Sequence, residues 1–178
     1  KLLGKNGRTK IDLSFYKNKT VLITGHTGFK GSWLSEILIL AGAKVIGYSL
    51  EPSTTPNLFT YLNLKDKMVS IIADIRDLRK LNEVFEKYQP EIVFHLAAQP
   101  IVRVSYSEPV YTYDVNVMGT VNICECVRKH SCVKSFLNVT TDKVYENDDI
   151  PDHPFKENEK LNGYDPYSNS KSCSELVT

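Results

Sequence analysis

An α/β fold, a parallel sheet wound on both faces by helices, is what this 178-residue sequence predicts, and three observations predict it. Short apolar runs alternate with longer amphipathic ones along the chain. The short runs are rich in β-branched residues and leucine and lack strict period-two alternation, as strands covered on both faces do. The first of them passes through a glycine-rich turn into a helix.

Taken in order, residues 20–25, built on Val21, Leu22 and Ile23, read as the first strand. Residues 30–41 form the first helix, which Gly42 ends as a C-terminal cap residue does. The second strand is 44–49. Residues 51–66, with Pro52 and Pro56, form a loop with room for a short helix. The third strand is 68–73. Helix 76–88 follows, with Leu78, Leu81, Val84, Phe85 and Tyr88 on one face and Pro90 forcing an exit. The fourth strand is 92–97. A long third helix begins at Pro109, a residue favoured at a first turn, and runs to Lys129. The fifth strand is 133–140, the polar stretch 147–161 is a surface excursion, and a last helix opens at Pro166-Tyr167. Right-handed crossovers then give a doubly wound Rossmann sheet of order 3-2-1-4-5. Residues 1–18 are an extension and 19–178 the domain.

Lys plus Arg total 22 against 21 Asp plus Glu, a net charge of +1, so no bulk electrostatic case exists for a nucleic-acid or membrane partner. The basic run Lys1, Lys5, Arg8, Lys10 reads as a solvated tail. The longest apolar stretch, near residues 37–43, is far short of the about 20 residues a membrane span needs. The four cysteines, Cys124, Cys126, Cys132 and Cys173, include no Cys-x-x-Cys pair and are too few for a disulfide scaffold. A reducing cytoplasm is the expected setting, and no metal site is expected. Asn18 and Asn138 each begin an Asn-x-Thr triplet, but with no export signal in view these read as chance matches.

The turn Gly25-His26-Thr27-Gly28-Phe29-Lys30-Gly31 has the spacing of a dinucleotide loop. Gly25 permits the tight turn, Gly28 lets backbone approach a pyrophosphate, and Gly31 lets helix and strand pack closely. The helix N-terminus adds free N–H donors and a positive dipole end. Ser49 stands where the fingerprint places a ribose-binding acid, with Glu51 two residues on. No arginine is near to receive a 2′-phosphate, so NAD is expected rather than NADP. Asp74, followed by Ile75, either accepts from the adenine amino group or caps the next helix. Leu96, Ala97, Ala98 and Gln99 end the fourth strand with small residues that leave room for the cofactor, and Thr140 ends the fifth. Asn116, polar on an apolar helix face, either bonds to backbone or holds a water near the site.

Tyr167 and Lys171 form the pattern Tyr-x-x-x-Lys at a helix start, a spacing that puts both on one face. A neighbouring ammonium and a nicotinamide charge favour the phenolate, which makes Tyr167 a base for a sugar hydroxyl with a lowered pKa. Ligands of such sheets gather beyond the carboxyl ends of strands, so Thr141, Asp142 and Lys143 are expected at the pocket. The secondary reading of Asp142 and Lys143 is a solvated turn.

The runs Thr24-Gly25-His26-Thr27-Gly28-Phe29-Lys30-Gly31-Ser32-Trp33 and His95-Leu96-Ala97-Ala98-Gln99-Pro100, with Thr141-Asp142-Lys143 and Tyr167-x-x-x-Lys171, carry a resemblance. The chain resembles the CDP-glucose 4,6-dehydratases of the extended short-chain dehydrogenase/reductase family. The resemblance implies bound NAD, a CDP-glucose substrate and an internal redox cycle of deoxysugar biosynthesis. Tyr167 would take the 4-hydroxyl proton, Thr141 would bond to that hydroxyl, Asp142 would protonate the departing C6 hydroxyl, and Lys171 would orient the nicotinamide ribose. Lys143 stands where related dTDP-glucose enzymes place a glutamate as the C5 base. The family is about twice this length. The chain is therefore expected to be the N-terminal part of a protein whose substrate subdomain lies elsewhere, and not to turn over substrate alone. Val117, Val121 and Cys124 are candidates for the helical interface of a homodimer or tetramer. The rival readings are a nucleotide-sugar epimerase of the same family and a non-catalytic NAD-binding module.

Overall fold

A computed structural model describes residues 11–146 and 153–178. The basic run at residues 1–10 and the part of the polar excursion at 147–152 lie outside the described residues. Five parallel strands form one sheet of order β3-β2-β1-β4-β5: β1 (Thr20–Thr24), β2 (Lys44–Ser49), β3 (Val69–Ile72), β4 (Ile92–His95) and β5 (Ser135–Asn138). Order and parallelism are those the sequence predicts. The second strand has the expected bounds, whereas the other four end one or two residues earlier than expected, because ladder pairing stops where each chain turns toward the ligand edge. Gly25, for example, already has φ +76°.

On β1 alternate side chains serve two cores. Val21 and Ile23 join Leu38, Val45 and Ile92 beneath α1 (Phe29–Leu40). Leu22 joins Ile46, Leu81, Phe85, Val93 and Ile123 on the other face, where α3 (Leu78–Tyr88) and α6 (Gly119–Lys129) contribute. A helix α2 of four residues (Leu58–Tyr61) occupies the loop after β2. Helix α1 ends at Gly42, whose φ is +83° and whose N–H reaches Ile39 O at 2.9 Å.

Two helical expectations change. Helix α3 starts at Leu78, because Asp77 takes the cap and accepts from Lys80 N. The long third helix is three pieces: α5 (Pro109–Tyr113), a π-helical turn (Asp114–Met118) and α6. A further helix, α4 (Val102–Ser107), precedes it. Its β-branched Val102 and Val104 weaken any helical signal in the sequence. The π turn is centred on Asn116, whose amide is drawn out of the helix to other partners, as described below; such single-turn π insertions arise where a helix is bent to a local demand.

Between the sheet and helices runs a buried polar chain. Thr24 Oγ1 accepts the N–H groups of Leu96 and Ala97, each at 3.1 Å. Its own proton therefore goes to His95 Nδ1, 2.7 Å away. Nε2 then carries the ring proton and donates to Thr120 Oγ1 at 3.1 Å, which in turn donates to Asn116 O at 2.7 Å. Burial pushes His95 down to about 3, with the charge of Lys171 adding to it. His26, fully buried beside Gly47 and Phe59, is pushed down to about 4 by burial, which a backbone contact at Tyr48 only partly opposes.

A pH dependence of stability follows. Unfolded histidines bind protons from about pH 6.5 downward while these two stay neutral, so the unfolded state gains protons first. The stability they contribute is complete above about pH 6.5 and declines as pH falls toward about 4 for His26 and about 3 for His95. Between pH 7 and pH 5 the expected loss is about 2 kcal/mol per histidine, at 1.36 kcal/mol per pH unit. Denaturant midpoints measured across that range test this; a midpoint independent of pH between 7 and 5 would contradict it.

Candidate active site

The site is built at the edge of the sheet where the strands terminate. Thr24 leads into Gly25, whose N–H donates to Tyr48 O at 2.9 Å. A side chain at Gly25 would meet Ala97 N at 2.8 Å, so the turn lies flat against the end of β4. A Cβ at Gly31 would fall 2.1 Å from Gly25 O, which puts the helix directly on the turn. At Gly28 a Cβ would meet only Gly25 O at 3.4 Å, so this backbone faces open space. Gly28 caps α1, leaving the first N–H groups of the helix without intrahelical partners and directed at that space.

The space is a cavity of about 490 Å³ that runs from the glycine turn past the ends of β2 and β3 to α7 (Pro166–Leu176). Its wall includes Gly25, Thr27, Gly28, Phe29, Lys30, Gly31, Ser49, Asp74, Ile75, Leu96, Ala97, Ala98, Gln99, Thr140, Tyr167 and Lys171. Tyr48, Leu50, Ser53, Pro100, Tyr111 and Val139 also line it. Apart from Ser53, these are apolar or aromatic, and nothing about such a side chain near a strand end marks it as cavity-facing.

At the β2 end, Ser49 Oγ is 2.9 Å from Thr27 Oγ1, which donates to Leu50 O at 2.8 Å. This ties the glycine turn to the strand that carries Ser49. Glu51 is part of the wall, and among the described residues its cations are Lys30 and Lys171, with no arginine. Asp74 neither caps α3 nor stands free. It accepts from Arg76 N and Nε through Oδ1 and from the far guanidinium nitrogen through Oδ2 at 2.7 Å. Arg76 also reaches Asp114 at 3.0 Å and lies over the Tyr111 ring, 5.1 Å from its centroid. The guanidinium holds the Asp74 carboxyl below its ordinary range.

Asn116 is not in the cavity wall. It is buried, its Oδ1 accepts Gln99 N–H at 2.8 Å, and its Nδ2 donates to Gln99 O at 3.2 Å and Ser170 Oγ at 2.9 Å. Of its two readings from sequence, the structure displays the backbone bond. Through it the π turn, the end of β4 and α7 are joined.

Helix α7 is capped by Asp165, which accepts from Ser168 N at 3.0 Å. Tyr167 N donates to Ser105 Oγ of α4 at 3.1 Å. Lys171 is 5% exposed and its ammonium donates to Val139 O at 3.3 Å. The Thr141 hydroxyl donates to Asp142 Oδ1 at 3.0 Å and lies close enough to the Tyr167 phenol to lower its pKa. Asp142 and Lys143 stand on an exposed turn (Asp142–Val144) rather than in the wall. Thr141 thus links the phenol to Asp142, while Lys143 joins that group only through its backbone N–H, 3.4 Å from Thr141 Oγ1.

The electrostatics differ from the sequence reading in one respect. Burial raises the Tyr167 pKa, Asp142 and Asp165 raise it further, and the Thr141 hydrogen bond opposes them. Lys171 is not among the groups acting on it. Polypeptide alone therefore keeps the phenol protonated, and its acidity depends on positive charge brought into the cavity. Chemically, the arrangement offers helix N-terminal amides at one end and a phenol with a buried ammonium at the other, along one cavity.

A family model described as GDP-mannose 4,6 dehydratase matches residues 22–178. The chain is 52% identical to the CDP-glucose 4,6-dehydratase of Salmonella typhimurium over 94% of its own length and 46% of that protein's. Among solved structures it superposes on the UDP-glucose 4-epimerase of Thermotoga maritima with UDP-glucose (TM-score 0.79, 29% identity), covering 88% of this chain and 49% of that one. The UDP-glucose 4-epimerase of Thermus thermophilus in complex with NAD superposes with a TM-score of 0.77 at 28% identity, again over 88% and 49%. The chain spans about half the length of the curated relatives it matches.

Proposed function

The chain belongs to the GDP-mannose 4,6 dehydratase family, and from that premise we propose that the full-length protein is an NAD-dependent nucleotide-sugar 4,6-dehydratase acting on CDP-glucose. The observation that carries the reading is the single cavity joining the glycine turn to Tyr167 and Lys171. The CDP-specific part is supported by the 52% identity to a CDP-glucose enzyme. In this reading residues 19–178 are the dinucleotide-binding half, and turnover belongs to the full-length protein rather than to these residues alone.

NAD is supported as the dinucleotide by the fit of the glycine turn, by Glu51 in the wall beyond Ser49, and by the absence of arginine there among the described residues. When bound, it supplies the hydride acceptor at C4 and the hydride donor at C6, so the overall conversion is a dehydration. The amides at the start of α1 hold the pyrophosphate, and the Ser49–Glu51 end receives the adenosine ribose. Lys171, buried in the same cavity wall, orients the second ribose. Tyr167 removes the 4-hydroxyl proton while Thr141 holds that oxygen. Asp142 protonates the leaving C6 hydroxyl, and Lys143 stands at the position of the C5 base. No helix of the described residues is long and apolar enough to cross a membrane. The four free cysteines suit a reducing cytoplasm, and α5 and α6 are the surface for self-association.

Incubation of the full-length protein with CDP-glucose and NAD tests the reading by product mass. A product lighter by one water is expected. A product of unchanged mass would make the protein an epimerase, and no conversion would leave a dinucleotide-binding module.

A further inference from the structure

Helix α7 continues the spacing of its reactive face one step beyond the pair described above. Glu175 follows Lys171 by four residues, as Lys171 follows Tyr167, so the three side chains lie along one side of the helix. Its carboxylate accepts a hydrogen bond from Thr140 Oγ1, and Thr140 belongs to the cavity wall. The neighbouring peptide carbonyl, Val139 O, accepts from the Lys171 ammonium at 3.3 Å. Two adjacent residues beyond β5 are thus held by the ammonium and the carboxylate of one helix face.

The ammonium of a lysine that is 5% exposed and that, among the described residues, bonds to a neutral carbonyl needs a counter-charge to stay ionised. Among the described residues no carboxylate lies in salt-bridge contact with Lys171. The groups facing it are Glu175 on its own helix, Lys30 from α1, the neutral imidazole of His95 on β4 and the phenol of Tyr167 one turn earlier. Only Glu175 among them is anionic.

We propose that Glu175 is a positioning residue for the reaction: tied to the end of β5 by Thr140 and one helical step from Lys171, its carboxylate holds the ammonium that the bound ribose requires. The inference rests on the functional reading above for its consequence, but not for its first measurement. Burial brings Lys171 down to about 8, Glu175 opposes that fall, and Lys30 adds to it. Removing the carboxylate charge therefore lets the ammonium lose its proton at a still lower pH.

Glu175→Gln deletes the charge but keeps an oxygen to accept from Thr140, so it separates electrostatics from the structural tie. In the full-length protein labelled with [ε-13C]lysine and free of substrate, the Lys171 signal is identified by its loss in Lys171→Met. Its titration is expected to move down by about one pH unit in Glu175→Gln, the size of effect one nearby charge has on a buried site. Glu175→Ala should show the same shift, and Glu175→Asp should restore most of it. The alkaline limb of kcat/KM should fall by the same displacement. A Lys171 titration that coincides with wild type in both neutral variants would overturn the proposal, even if thermal stability drops, since that would leave Glu175 as a structural tie. Because the titration needs no substrate, its outcome stands apart from the product-mass test.

Discussion

Tyr167→Phe in the full-length protein is expected to lower turnover by a factor of about 10²–10⁴, the usual contribution of a positioned general acid or base. The loss should fall on kcat, with dinucleotide affinity and the unfolding midpoint close to wild type. The phenol oxygen is the only group removed, and its partner Thr141 keeps a bond to Asp142. The backbone of Tyr167 stays anchored to Ser105 Oγ at 3.1 Å whichever ring is present. Because burial and two carboxylates hold the phenol in its protonated form, positive charge in the cavity must supply the phenolate needed to take a proton. Turnover within about threefold of wild type, measured as product formed under saturating substrate, would remove Tyr167 from the chemistry.

Gly31→Ala is expected to cost on the order of 3 kcal/mol and to weaken dinucleotide binding by about a hundredfold. The added methyl would sit 2.1 Å from Gly25 O and 2.8 Å from both Gly25 C and His26 Cα. All three are backbone atoms, so no side-chain rotation relieves the overlap, and the start of α1 must move off the turn. That displaces the amides intended for a pyrophosphate. Gly28→Ala is the informative contrast. Its methyl meets one atom at 3.4 Å, so the fold should remain within about 1 kcal/mol of wild type while the cavity narrows. Denaturant unfolding and equilibrium dinucleotide binding on both variants test the distinction. A Gly31→Ala protein that unfolds and binds like wild type would show that the helix does not rest on the turn.

Much of this site is legible in the linear sequence, for local reasons. The glycine turn is seven residues long, the Tyr167–Lys171 pair is one helical step, and strand order follows from right-handed crossovers between elements already in view. Sixteen of the seventeen residues picked as cofactor contacts line the cavity, Asn116 being the exception. The exceptions are instructive. Asp74 offered two local readings, and its actual partner is Arg76, itself steered by Asp114, 38 residues further on. The helix expected to run unbroken from residue 109 to 129 contains a π turn, because Asn116 is claimed by Gln99, 17 residues before it, and by Ser170, 54 residues after it.

Composition, periodicity and short motifs, then, were enough to establish the parallel sheet, the glycine turn at its edge and a phenol–lysine pair beside it. Each of these depends on interactions between residues a few positions apart or on the handedness of the chain. Folding in three dimensions assigned Asn116 to the backbone and Asp142 and Lys143 to an exposed turn, and it buried Lys171 near the carboxylate of Glu175. Those outcomes rest on desolvation and on hydrogen bonds spanning tens of residues. No window of sequence contains both partners of such a bond, and burial is a property of the packed chain as a whole.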